Sequence, residues 1–207
     1  FFSSYEDVAS SPVQFGQVSR PGDIKYKDLN HDGVIDSNDQ APIGYNPVPE
    51  MTFSLAAGLN WKGIDFSILL QGAARSSIYL QQDIAWDNFW GNYYEEHIGR
   101  WTPETAATAT YPRFTKAATA AHPNYYKSDY WLKDSKYLRL KNIQLGYTIP
   151  RKLLKKFGVR SLRVYANAYN LFTWDNVKKV DPESSNNSNG QFYPQQKVIN
   201  FGINLNF

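Results

Sequence analysis

Apolar and polar residues alternate with a period of two through much of the second half of the chain. Ile199, Phe201, Ile203, Leu205 and Phe207 alternate with Asn200, Gly202, Asn204 and Asn206 up to the last residue, the pattern of a strand with one apolar and one polar face. Upstream, Phe53, Leu55, Ala57, Leu59 and Trp61 alternate with Thr52, Ser54, Ala56, Gly58 and Asn60. Lys62-Gly63 then turns the chain, and Ile64, Phe66, Ile68 and Leu70 continue opposite Asp65, Ser67, Leu69 and Gln71, the signal of a hairpin. A third pair brackets Pro150. Ile143, Leu145, Tyr147 and Ile149 alternate with Asn142, Gln144, Gly146 and Thr148, and the stretch from Ser161 to Thr173 carries Leu162, Val164, Ala166 and Ala168 on one parity. Leu138 and Leu140 take the opposite parity to Ile143, so the spacing predicts a bulge or a change of environment near Lys141-Asn142. Between these strands, Arg151 to Phe157 form a short helical pattern closed by Gly158; the cations Arg151, Lys152, Lys155 and Lys156 read as a solvated turn. Five strands are predicted, all within Met51 to Phe207.

Two architectures share this pattern. In a soluble sandwich the apolar face meets a second sheet, whereas in a membrane barrel it meets lipid and the amides face the interior. Each arm of the hairpin is about the 9–11 residues that cross a bilayer when tilted. Trp61 beside the turn suits either an interfacial aromatic belt or the edge of a soluble sheet. Connection lengths break the tie: the turns at Lys62-Gly63 and around Pro150 to Val159 are short, while Ala73 to Ser135 and Trp174 to Gln196 are long. Outer-membrane barrels pair short periplasmic turns with longer extracellular loops. The fold class expected is therefore all-β, strands of a transmembrane antiparallel β-barrel with long extracellular loops. Residues 1–50 are expected to form an extracellular loop region and 51–207 the strands and their loops. Five strands cannot close a barrel, since even the smallest use about eight. The chain opens Phe1-Phe2-Ser3 with neither an initiator methionine nor a leader pattern, so the expectation is a chain that is either processed or a fragment.

Composition narrows the chemistry. The 207 residues carry 16% aromatics and 42% hydrophobics, with a mean hydropathy of −0.53, which excludes disorder, collagen and a coiled coil. No stretch approaches the roughly 18 apolar residues of a membrane helix. A net charge of +3 from 22 basic and 19 acidic side chains is too balanced for the footprint of a nucleic-acid binder. The absence of cysteine removes disulfides, thiolate zinc sites and cysteine nucleophiles.

The sharpest local motif runs from Asp28 to Asp39. Asp28, Asn30, Asp32, Asp36 and Asp39 stand at loop positions 1, 3, 5, 9 and 12, Gly33 at 6, and the carbonyl of Val34 at 7. Calcium, a hard cation, accepts this all-oxygen set. Ile35 at position 8 is expected to pack inward and hold the loop. Asp39 departs from the usual Glu at position 12, and Pro21-Gly22 and Pro42 argue against flanking helices, so the expectation is an isolated structural Ca2+ loop on the extracellular side. The competing reading is an Asp/Asn-rich turn without metal.

No catalytic constellation emerges, and the chain is not expected to be an enzyme. His31, His97 and His122 lack the spacing of a catalytic metal site, and there is no nucleophile elbow, phosphate loop or dinucleotide fingerprint. The long loop contains Trp86, Phe89, Trp90, Tyr93, Tyr94, Trp101, Tyr111, Tyr125, Tyr126, Tyr130 and Trp131. Such rings stack on sugars, anchor interfaces or pack on one another; packing is expected for most and binding for a minority.

Several stretches together resemble a known family. They are Pro21-Gly22-Asp23-Ile24-Lys25-Tyr26-Lys27-Asp28 leading into the acidic loop, Ile43-Gly44, Lys62-Gly63-Ile64-Asp65-Phe66-Ser67, Arg100-Trp101-Thr102-Pro103, Ser128-Asp129-Tyr130-Trp131-Leu132, Tyr137-Leu138-Arg139-Leu140-Lys141-Asn142, Leu145-Gly146-Tyr147, Leu162-Arg163-Val164-Tyr165, Asn170-Leu171-Phe172-Thr173, Asp181-Pro182-Glu183 and the terminal Phe207. The chain resembles the SusC/RagA-type TonB-dependent transporters of the Bacteroidetes outer membrane. The resemblance implies the C-terminal part of a barrel of about 22 strands around a plug, import of oligosaccharides or peptides, a SusD-like surface lipoprotein as lid, energy from the TonB complex through segments outside this chain, and contact with outer-membrane lipid. The terminal aromatic resembles the signal read by the barrel-assembly machinery. Two rivals use the same residues: a soluble calcium-stabilised carbohydrate-binding β-sandwich, and an adhesin-like surface domain.

Overall fold

The structure is a computed structural model that describes residues 1–116, 121–178, 180–184 and 195–207. It divides into two compact units, one built mainly from Phe1–Gly44 and Tyr79–Leu132, the other mainly from Tyr45–Ile78, Lys133–Ser185 and Phe192–Phe207.

The second unit is a five-stranded antiparallel meander of β1 (Met51–Trp61), β2 (Ile64–Ala74), β3 (Tyr137–Thr148), β4 (Ser161–Asp175) and β5 (Val198–Asn206), each strand paired with the next. Lys62 and Gly63 both have positive φ, 47° and 89°, which is the two-residue turn whose twist matches the strands it joins. A Cβ on Gly63 would meet the Thr148 carbonyl oxygen at 2.7 Å, so that position needs glycine for space as well as for φ. The β3–β4 connection is a helical turn, α2 (Arg151–Leu154), continued by the 3-10 turn Lys155–Phe157 and ended by Gly158 at φ 70°, as the pattern predicts.

Register explains the parity shift. Ile68 pairs with Ile143 and Leu70 with Leu140, so Lys141 is an extra residue on β3; β4 is bulged at the same level, where Leu140 faces Phe172 and Asn142 faces Tyr169. The bulge returns Leu138 and Leu140 to the face of Ile143 and Leu145. One face is therefore apolar in unbroken rows across the sheet. Leu59, Phe66, Leu145, Ala166 and Phe201 form one such row, and Trp61, Ile64, Tyr147, Val164 and Ile203 the next. Among the described residues Leu140 and Ala168 are buried, but most of this face is open, Leu55 being 62% exposed, Phe201 83% and Ile203 70%. A soluble sandwich would bury them against a second sheet. The opposite face carries rows such as Gly58, Ser67, Gln144, Asn167 and Asn200, with Asn200 Nδ2 donating to Asn167 Oδ1 at 2.9 Å.

The first unit has little regular structure and a true core. Helix α1 (Tyr5–Ala9) starts at Ser4, whose Oγ accepts from the Asp7 amide. Val13–Gln14 and Val34–Ile35 pair in parallel, and Phe2, Ile24, Ile35, Leu80, Trp86, Tyr111, Tyr125 and Trp131 are buried. No helix among the described residues is long and apolar enough to cross a membrane.

Candidate functional site

The acidic loop is a ladder of side-chain-to-amide hydrogen bonds. Asp28 accepts from the amides of His31 and Gly33, Asn30 from Asp32, Asp32 from Val34, and Asp36 from Asn38. The bonds of Asn30, Asp32 and Asp36 span two residues each and are Asx turns, in which a short side chain stands in for a backbone turn. Asp39 closes the loop, one oxygen accepting from Leu29 at 2.7 Å and the other from Asp36 at 2.9 Å. The amides of Asp36 and Leu29 hold its carboxyl below the usual carboxylate range. Ile35, 2% exposed, packs inward, and its carbonyl accepts from the Phe15 amide at 2.7 Å. No helix flanks the loop. Val34, at position 7, sits in the short parallel pairing. The oxygen-only donor set suits a hard cation; among the described residues no three His, Asp or Glu side chains are grouped to hold a metal ion.

Most of the loop aromatics pack, and they pack around polar groups. Asp87 is fully buried and accepts from the hydroxyls of Tyr125 at 2.5 Å and Tyr111 at 3.1 Å and from the Thr115 amide at 3.2 Å. Burial, and then the neighbouring Asp87, push both phenols far above their ordinary pKa, so they stay protonated donors. A second cluster centres on Asp23, which pairs with Arg113 at 2.7 Å and accepts from Asn124 Nδ2 at 3.0 Å. Trp131 Nε1 donates to the Asn124 carbonyl. His97 is buried, its Nδ1 accepting from the Tyr94 amide and its Nε2 donating to the Ala85 carbonyl at 3.2 Å. His122 Nδ1 accepts from the Asn124 amide, and burial lowers its pKa. Both histidines are thus structural. Trp90, Tyr93 and Tyr94, at 81, 56 and 40% exposure, are the minority left to solvent.

The polar face of the sheet carries a cluster that the sequence pattern did not single out. Arg139, 2% exposed, donates to both oxygens of Asp181 at 2.8 and 2.9 Å, to Glu183, and to Thr173 Oγ1 at 3.0 Å. Tyr137 donates to the other Glu183 oxygen at 2.6 Å. Asp181-Pro182-Glu183 belong to the β4–β5 connection, so one arginine ties that loop to the wall. Nearer the short turns, Asp65 and Arg163 form a two-pronged pair at 2.5 and 2.9 Å that spans Gly146, where a Cβ would meet the Asp65 carboxylate.

Comparison with known proteins places this geometry. The chain is 30% identical to TonB-dependent receptor P26 of Formosa agariphila over all of its own length and 21% of the relative's. It is 26% identical to TonB-dependent receptor SusC of Bacteroides thetaiotaomicron over 93% of this chain and 18% of that one. The fold superposes on the RagAB peptide importer in its open-open state with a TM-score of 0.62 at 22% identity, covering 84% of this chain and 19% of that one. The chain is similar, along its whole length, to one part of the SusC-type TonB-dependent receptors. No family model matches it. It spans about a fifth of the length of these relatives. The five strands have the fold of a β-barrel portion; in an outer-membrane barrel an apolar face meets lipid and a polar face the interior. The relatives are receptors and transporters, not enzymes.

Proposed function

We propose that this SusC/RagA-type chain supplies wall strands and extracellular loops to an outer-membrane importer of large nutrients, oligosaccharides or peptides, that works with a SusD-like lipoprotein and the TonB complex. The observation that carries the reading is the sheet itself, with one face apolar in continuous rows and the other lined by Asn, Gln, Ser and paired charges. That is the division of a wall between hydrocarbon and an aqueous interior, and it leaves the soluble sandwich without the second sheet it requires. Trp90, Tyr93 and Tyr94 suit contact with a substrate or with the lipoprotein. The acidic loop is a calcium site in this reading: Asp28, Asn30, Asp32, Asp36, Asp39 and the Val34 carbonyl supply the oxygens, and Ca2+ would brace a loop on the extracellular side, where a weak site suffices.

Deletion of the gene, followed by growth on a panel of glycans and peptides, tests the transport reading. Loss of growth on one class is expected, and unimpaired growth on every polymer would sink it. Fractionation should place the protein in detergent-extracted outer membranes. For the loop, isothermal titration with calcium should give binding heat that Asp32→Ala removes; no heat in either protein would exclude the site.

A further inference from the structure

The helical turn between β3 and β4 carries an apolar pair that no described residue covers. Leu154 is buried on the body of the sheet, but Leu153 and Phe157, four residues apart and so on about one face of the turn, are 65 and 76% exposed. Around them stand Arg151, Lys152, Lys155 and Lys156, with Arg160 just beyond; all five are exposed, and no Asp or Glu occurs anywhere from 149 to 160. Gly158 at φ 70° fixes where the turn ends.

The position of this turn gives the pair its meaning. It lies at the end of the sheet that also carries the Lys62-Gly63 turn: the Thr148 amide donates to the Gly63 carbonyl and the Arg160 amide to the Asn206 carbonyl. The outermost residues of the apolar face there are Trp61, Ile64, Tyr147 and Leu205, and the Lys62 ammonium sits 4.8 Å over the Trp61 ring. Amphipathic aromatics and cations at the edge of a lipid-facing band mark the headgroup level. A short amphipathic element with apolar side chains flanked only by cations is what binds an anionic lipid interface. A water-exposed turn would gain nothing from displaying Leu153 and Phe157.

We infer that the Arg151–Phe157 turn is a lipid anchor, with Leu153 and Phe157 inserted at the headgroup boundary and Arg151, Lys152, Lys155 and Lys156 holding phosphate groups of anionic phospholipid in the leaflet at the short-turn end of the barrel. The inference rests on the barrel reading of the sheet, and its test separates the two. The chain contains no cysteine, so a nitroxide can be attached to Leu153→Cys or, as a reference on the lipid face, to Phe201→Cys. The full protein is reconstituted in phosphatidylethanolamine vesicles with and without phosphatidylglycerol, and collision with a water-soluble nickel chelate is read by electron paramagnetic resonance. The label at 201 should be shielded in both membranes. The label at 153 should be shielded severalfold more when phosphatidylglycerol is present, and Lys152→Gln/Lys155→Gln/Lys156→Gln should erase that gain. A label at 153 open to the chelate in both membranes, with 201 shielded, overturns the anchor alone. Shielding at 153 that ignores lipid charge means a protein contact and also overturns it. Exposure at 201 overturns the barrel reading beneath it.

Discussion

In the five-stranded sheet, Leu55, Phe201 and Ile203 stand in the open while amides and ion pairs gather on the other face; in the loop unit, Asp23, Asp87 and Asn124 lie inside and aromatic rings wrap them. The two halves of one chain obey the same rule in different solvents. Apolar side chains left in water forfeit roughly 25 cal/mol per Å2, so a face such as the Leu59 to Phe201 row suits hydrocarbon better than water. Loops outside a membrane have water on every side. Their backbone and side-chain polar groups are satisfied either by that water or, where a rigid shape is needed, by one another.

The comparison can be broken from either side, and the largest effect is expected where removing one buried charge leaves two others without their partner. Arg139→Ala strands Asp181 and Glu183 against the wall and should cost about 3–5 kcal/mol, read as a lower thermal midpoint in detergent and faster amide exchange in the β4–β5 connection. An Arg139→Met variant as stable as the parent would show that the latch contributes nothing. On the apolar face, Phe201→Arg should lower barrel stability by about 2–4 kcal/mol in a bilayer; a neutral result would mean that the face does not meet lipid. In the loop unit, Tyr125→Phe removes one donor from a buried carboxylate and should cost about 1.5–3 kcal/mol, measured by local hydrogen exchange around Thr115.

The smallest effect is a pH response in the acidic loop. Asp39 has a folded pKa below its ordinary value, so its contribution is fully present above the unfolded pKa and is lost as pH falls through the lowered folded value. Protection of the Leu29 and Asp36 amides should therefore survive mild acid and disappear only below the ordinary aspartate range. Loss near pH 6 would contradict the hydrogen-bond pattern.

How much could be read in advance follows the range of the interactions. The strands, their two faces and the bulge at Lys141 were legible because alternation, a Lys-Gly turn and a change of parity are local signals. The inward Ile35 and the absence of flanking helices followed from loop position and from two prolines. Arg139 was different: its partners lie 42 and 44 residues away, and nothing near Arg139 in the sequence distinguishes it from a solvated strand cation. Asp87 likewise finds Tyr111, Thr115 and Tyr125 across 24 to 38 residues. The aromatic crowding hinted at a packed loop, but not at the carboxylate in its centre.

The pairing of β2 with β3 carries one more consequence, for how such a chain varies. Both hairpins that flank that seam close through short turns, so their registers are set locally. The seam itself joins strands separated by the entire segment from 75 to 136. Closing a loop of that size costs little more when the loop grows, about 0.6 kcal/mol for each doubling. The wall is therefore nearly indifferent to what is inserted between its hairpins, and descendants of one scaffold can exchange their outward-facing segments without renegotiating the strands that carry them.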